Sequence, residues 1–275
     1  MPELPEVETV ARGVHDRVRG QRILDVWLGS HREPFNTPPA RLAKGLEGRT
    51  ILSVRRIGKH IVADLAAAKA APPAAQWIVH LGMTGRLLVT TPGAPVVPHT
   101  HARATLAGGR ELRFVDPRRF GRLELREFPK DAPFAAPGAE PLTIEADAFA
   151  ALFRGRRLAI KAALLNQSLL SGVGNIYADE SLFHAGLRPR RLAGRLSRAE
   201  LERLRLALRD VLERAIARGG SSVSDYVDAN GVRGFFQLEH RVYQRTAQPC
   251  LVCATPIRRI VVAGRSTHYC PTCQH

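Results

Sequence analysis

Two cysteine pairs, Cys250-x-x-Cys253 and Cys270-x-x-Cys273, separated by sixteen residues, constrain the fold of this chain more than any other feature. Each pair places two thiolates on one tight knuckle, and two knuckles at this spacing close a tetrahedron around a single zinc ion. So short a segment has too little apolar surface to fold by itself, so the metal would replace a core. The intervening stretches 257–263 and 266–269 read as the strands of a hairpin. A pair of redox dithiols is the alternative, but no βαβ pattern surrounds them. All four cysteines fall within the last 26 residues, which suits a metal site in a reducing cytoplasm better than a disulfide framework. His268 and His275 are spare ligands that tetrahedral closure does not require.

Upstream, the pattern divides the chain in two. After an amphipathic helix carrying Val7, Val10, Ala11, Val14 and Val18 on one face and ending near Gly20, short apolar runs follow. Strands are expected at 23–28, 51–56, 60–65, 77–81, 87–90, 102–106, 111–115 and 122–126, with Gly, Pro and Asn between them. Strands without intervening helices argue for a β-sandwich or barrel. Pro129, Pro133, Pro137 and Pro141 then mark a connector. Beyond it the period becomes helical: a helix over 158–170, a break at Gly172-Val173-Gly174-Asn175, a second helix over 178–185, and a long helix opened by the capping box Ser197–Glu200. Asn175 is placed to cap the second helix, whose N-terminus can hold a phosphate. The polar stretch 221–234 reads as a mobile loop. The expected fold is therefore α+β: an N-terminal β-sandwich with flanking helices (1–128), a linker (129–142), a helical domain (143–238) and a zinc-ribbon hairpin module (239–275).

The formal charge of +16 points to an acidic partner, most commonly a nucleic-acid backbone. Arginine dominates the basic residues; the lysines are Lys44, Lys59, Lys69, Lys130 and Lys161. A lysine retained in such a chain hints at a compact or titratable charge. No apolar run reaches the roughly 20 residues of a membrane span, and the acidic start is unlike a signal peptide.

The chain opens Met1-Pro2-Glu3-Leu4-Pro5-Glu6-Val7-Glu8. Acids and an early proline are ordinary helix-start chemistry. Yet if Met1 is removed, Pro2 carries a secondary amine, and an α-amino group of pKa about 8 is partly unprotonated at neutral pH. Condensed with a sugar aldehyde it gives an iminium that cannot relax to a neutral imine, and Glu3 stands beside it to move protons.

This opening resembles the formamidopyrimidine-DNA glycosylases, bifunctional enzymes of base-excision repair. The resemblance continues in order through Gly58-Lys59, the loop His80-Leu81-Gly82-Met83-Thr84-Gly85, Pro98-His99-Thr100-His101, Asp116-Pro117-Arg118-Arg119-Phe120-Gly121, the Gly-x-Gly-Asn turn and Gly264-Arg265-Ser266-Thr267 before the last cysteines, covering Pro2 to Gln274. It implies a helix–two-turn–helix DNA-binding domain, a structural zinc on Cys250, Cys253, Cys270 and Cys273, and excision of oxidised purines from duplex DNA. It implies catalytic roles for Pro2 and Glu3, for Lys59 as proton donor during β-elimination, and for Arg265 in the second elimination. It implies that Met83, Arg118 and Phe120 fill the gap left by an extruded base, that His99 and Asn175 contact DNA, and that Arg156 and Lys161 lie near the DNA backbone. It also implies that the loop 221–234 closes over the flipped base. His60 departs from the aromatic residue expected after Lys59. A monomer located in the cytoplasm at the nucleoid is expected. Two alternatives stay open: a related endonuclease VIII-type glycosylase for oxidised pyrimidines, and a non-catalytic zinc-ribbon DNA-binding protein.

Overall fold

The structure, a computed structural model, describes residues 1–31, 33–222 and 226–275. The chain forms two compact units: Met1–Ala135 with Gly219–Gly234, and Ala136–Arg218 with Phe235–His275. The loop after the long helix, assigned from sequence to the helical domain, thus packs with the first unit.

In the first unit, α1 (Leu4–Val18) starts at a reciprocal capping box between Glu3 and Glu6 and buries its valine face. Strands β1 (Ile23–Leu28), β5 (Arg86–Thr90), β6 (Thr100–Leu106) and β7 (Arg110–Val115) form one antiparallel sheet in the order β1-β6-β7-β5. Strands β2 (Thr50–Ile57), β3 (His60–Ala66), β4 (Ala75–His80) and β8 (Arg122–Glu127) form the other, in that order. One core cluster draws side chains from α1 and both sheets, with Leu42 and Leu46 of α2 (Pro39–Leu46), so the sandwich closes on a shared apolar layer. At about 1.5 kcal/mol or more for each fully buried valine, the α1 face alone anchors the chain's start firmly.

The second unit holds α3 (Ala146–Phe153), α4 (Ile160–Leu165), α5 (Asn175–His184) and α6 (Arg198–Ala217), followed by the hairpin of β9 (Arg258–Val262) and β10 (Arg265–Tyr269). Helix α4 is shorter than its apolar run because polar side chains compete with the helical ladder. Asn166 accepts the Ser168 N–H at 3.0 Å, and the Gln167 amide bonds Val173 O at 2.8 Å and Gly172 N–H at 2.9 Å. Helix α5 starts three residues earlier than expected, at Asn175, so Gly174 and not Asn175 is its N-cap. The short helices α2 and α3 were not legible from periodicity. No helix among the described residues is long and apolar enough to cross a membrane.

Candidate functional site

The β2–β3–β4–β8 sheet places the candidate residues of the first unit. His60 opens β3 and pairs with His80 at the end of β4, which pairs with Arg122 at the start of β8. Three connections therefore leave one end of the sheet: the Gly58-Lys59 turn, the loop carrying Met83, and the turn carrying Arg118 and Phe120. Gly58 has φ +60 while Lys59 does not, the pattern of a type II′ hairpin turn.

The start of α1 is tied to the same end. Glu8 accepts the Arg56 Nε–H at 2.8 Å, and Arg56 Nη1 donates to Gly58 O at 3.2 Å. Pro2 and Glu3 are buried while Met1 is exposed. Glu6 is the hub of this start: its carboxylate accepts the Glu3 N–H at 2.8 Å and the Ser221 N–H at 2.7 Å, and its carbonyl accepts the Tyr226 hydroxyl at 3.3 Å. Gly220 holds φ +82, a conformation that favours glycine, and a Cβ there would lie 3.0 Å from the Glu6 side chain. Burial, then the nearby Glu6, pushes the Tyr226 phenol up. The base-closing loop expected over 221–234 is thus fastened at its described ends; 223–225 lie outside the described residues.

Met83 and Phe120 are 40% and 49% exposed, large apolar side chains presented outward. Their two loops are locked together by Asp116, which is fully buried. Asp116 Oδ1 accepts the Thr84 hydroxyl at 2.5 Å and the Arg118 N–H at 3.3 Å, and Oδ2 accepts the Gly121 N–H at 2.8 Å. Its carbonyl meets His101 Nε2 at 2.9 Å. A Cβ on Gly82 would lie 2.5 Å from the Phe120 and Gly121 backbone, which explains the glycine before Met83. The Arg118 guanidinium stacks 4.8 Å from the Phe120 ring centroid, pairing a cation with an aromatic wedge. Exposed His99 takes φ +65 beside this turn, its carbonyl accepting the Asp116 N–H at 3.0 Å. His80 Nδ1 accepts the Gly82 N–H at 3.1 Å, so the ring is neutral. Burial, then the His60, Lys59 and Arg122 charges, lowers it to about 4. His60 packs 4.8 Å from His80 and 4.7 Å from Phe134, filling the place of the expected aromatic.

In the second unit Arg156 is exposed, and Arg265, at the start of β10, has no ion-pair partner among the described residues. Asn175 donates its side-chain N–H to Ser266 O at 3.0 Å. Lys161, expected near the DNA backbone, is fully buried, its ammonium 2.6 Å from Asp179 Oδ1, 2.9 Å from Ser266 O and 2.8 Å from Thr267 Oγ1. His268 is also turned away from the thiols, toward Asp179 Oδ2 at 3.2 Å.

The four cysteine sulfurs all lie within 4.8 Å of one another, with Cys253–Cys270 at 3.4 Å and Cys250–Cys273 at 3.9 Å. A tetrahedron of Zn–S bonds near 2.3 Å has edges of about 3.8 Å, so the cradle fits zinc. The Val252 and Cys273 N–H groups point at Cys250 and Cys270 sulfur at 3.5 and 3.4 Å, an arrangement that favours thiolate. Hydrogen bonds from Thr255 lower the Cys253 thiol to about 6, whereas burial raises Cys270 and Cys273. A bound cation resolves that crowding.

Sequence reading missed the residues that hold these groups in place, namely Glu6, Glu8, Thr84, Asp116 and Asp179. Each lies within or beside a quoted motif, but nothing local names its distant partner, such as Ser221 for Glu6, Arg56 for Glu8 or His268 for Asp179.

Three family profiles match the chain in order. One is described as the formamidopyrimidine-DNA glycosylase N-terminal domain (residues 1–123), one as the formamidopyrimidine-DNA glycosylase H2TH domain (136–227), and one as a zinc finger found in FPG and IleRS (247–275). A formamidopyrimidine-DNA glycosylase from Solibacter usitatus is 48% identical over 100% of this chain and 99% of its own length. A complex of a Lactococcus lactis FPG point mutant with Fapy-dG-containing DNA aligns over 100% of both chains, with a TM-score of 0.87 and 33% identity. A complex of Lactococcus lactis Fpg with abasic-site DNA aligns over 99% of both, with the same TM-score and identity.

Proposed function

The chain belongs to the formamidopyrimidine-DNA glycosylase family, and from that premise we propose that it excises oxidised purines from duplex DNA and cleaves the strand at the resulting abasic site. Its partner is lesion-bearing or abasic duplex, and we place the enzyme as a monomer in the cytoplasm at the nucleoid.

Once Met1 is removed, the Pro2 nitrogen attacks the deoxyribose C1′ of an extruded nucleotide. The C1′–N bond breaks and the base leaves with a proton. Glu3 protonates the ring oxygen as the C1′–O4′ bond opens, leaving a Pro2 iminium. Loss of a C2′ proton sends electrons into the iminium and expels the 3′ phosphate. Loss of a C4′ proton then expels the 5′ phosphate, and water releases the sugar remnant from Pro2. Lys59 donates a proton in the first elimination, and the Arg265 guanidinium holds the flanking phosphates and assists the second. Met83, Arg118 and Phe120 occupy the gap in the stack; His99, Arg156 and Asn175 contact the DNA. Zinc on the four thiolates supplies the fold of the hairpin that carries Arg265 and takes no part in the chemistry.

The observation that carries this reading is the common origin of the parts in the first unit. The Lys59, Met83 and Arg118–Phe120 connections leave one sheet end, and the Glu8–Arg56–Gly58 chain of bonds ties α1 to it. Helix α1 begins at Leu4, so Glu8 lies four helical residues, about 6 Å of rise, beyond the helix start that Pro2 and Glu3 immediately precede.

Borohydride trapping on abasic duplex tests it. The processed chain is expected to form a covalent adduct, and a chain extended so that Pro2 stays in a peptide bond is expected to form none. Adduct formation by the extended chain refutes Pro2. Glu3→Gln is expected to bind lesion DNA without releasing the base. A lesion panel on which oxidised pyrimidines are the better substrates would instead favour the endonuclease VIII-type specificity.

A further inference from the structure

Arg265 is exposed at the start of β10, directly after the two-residue turn Ala263-Gly264, where an arginine would ordinarily sample many directions. Its backbone is nevertheless held from the helical side by one buried carboxylate. Asp179 of α5 is fully buried. Its Oδ1 lies 2.6 Å from the Lys161 ammonium, and its Oδ2 accepts the His268 N–H at 2.9 Å and meets His268 Nδ1 at 3.2 Å. Lys161 passes the constraint forward, donating to Ser266 O at 2.9 Å and to the Thr267 hydroxyl at 2.8 Å, and that hydroxyl donates to Arg265 O at 3.1 Å. Asn175, four residues before Asp179 on α5, holds Ser266 O from the other side at 3.0 Å. The carbonyls of Arg265 and Ser266 and the amide of His268 are therefore pinned to α4, through Lys161, and to α5, through Asn175 and Asp179.

From this geometry we infer that Asp179 is a positioning residue for Arg265, acting through Lys161 and His268. The inference rests on the assignment of the second elimination to Arg265. A buried ion pair is costly to assemble and gives little net stability over apolar packing. What it gives here is direction: a carboxylate paired with the Lys161 ammonium and accepting the His268 N–H, and an ammonium reaching two strand acceptors, define one register of β10 on α4 and α5. It also accounts for lysine at position 161 in an arginine-rich chain, because a compact ammonium donates around a point where a planar guanidinium fork does not.

The test uses the full zinc-loaded protein on duplex with a preformed abasic site. For Asp179→Asn, the fraction of product stopped after the first elimination is expected to rise at least fivefold, with borohydride-trapping rate within twofold of the parent and zinc retained. His268→Phe, which removes only the ring contact, is expected to shift the product ratio in the same direction by less. An unchanged ratio in zinc-retaining Asp179→Asn overturns the inference. So does a proportional loss of trapping and both eliminations, which marks general unfolding. If Asp179→Asn loses zinc, an unchanged ratio in His268→Phe overturns it. Hydrogen exchange across Arg265–Tyr269 is the readout independent of activity, expected to quicken in Asp179→Asn. If the parent protein cleaves no abasic DNA, the proposed function fails, while unchanged exchange in the variant separately overturns the positioning role.

Discussion

Thr84→Val isolates the bond that makes the Met83 loop and the Arg118–Phe120 turn one body. Valine keeps the shape of threonine and removes its hydroxyl, which lies 2.5 Å from the fully buried Asp116 Oδ1. A hydrogen bond to a charged acceptor is worth about 1.5–3 kcal/mol. The Arg118 N–H, 3.3 Å from the same oxygen, is too long to take over its role fully. A loss of roughly 2 kcal/mol, near thirtyfold in the folding equilibrium, is expected. Both tryptophans, Trp27 and Trp77, lie on β1 and β4, so urea unfolding followed by tryptophan fluorescence reports the first unit alone. A double-mutant cycle with Asp116→Asn should return a coupling of about 1–2 kcal/mol. Excision of a lesion base, which needs the wedge to replace the base, is expected to slow about tenfold, and cleavage of a preformed abasic site less than threefold, as ~1.4 kcal/mol per decade implies. A stability change under about 0.5 kcal/mol with no coupling, or equal slowing on both substrates, refutes the lock.

Three further outcomes follow from the same structure. His80 is lowered from 6.5 to about 4 in the folded chain by burial and the neighbouring His60, Lys59 and Arg122, so between those values the unfolded chain binds the proton and the folded chain does not. Stability therefore rises with pH across that window and is lost as pH falls through it, by at most roughly 3 kcal/mol, and His80→Gln should flatten the slope measured by urea titration between pH 4.5 and 7. Ala254, at φ +60 just after Cys253, holds a conformation that costs an L-residue about 1–2 kcal/mol, so Ala254→Gly should slow chelator-driven zinc release measured with a colorimetric indicator. Cys270→Ser should lower zinc below one ion per chain and abolish DNA cleavage while leaving the urea midpoint read by the two tryptophans unchanged.

The strands of the first unit were legible because strand information is local. In Arg122-Leu123-Glu124-Leu125-Arg126 the alternation of apolar and charged residues matches the observed alternation of buried and less buried positions along β8. The Ser197–Glu200 capping box marked the start of α6 to the residue. Where reading failed, polar side chains had overridden a pattern. Asn166 and Gln167 cut short a helix that the apolar run continues, and Gly174 took the cap that Asn175 resembled. Among site residues, Met83 and Phe120 were found where expected, exposed on turns, because flanking glycines announce such turns. The burial of Lys161 was not legible, because its acceptors Asp179, Ser266 and Thr267 lie far along the chain.

From residues alone came the zinc cradle, the order of the strands and of the longer helices, and the turns bearing the candidate groups, all written in spacings of a few positions. Three-dimensional closure alone decided which of those turns act together. Glu6 meets Ser221 across 215 positions, Lys161 meets Ser266 across 105, and Thr84 meets Asp116 across 32. A buried donor takes whatever acceptor the closed chain brings to it, and no short-range pattern of residues records which one that will be.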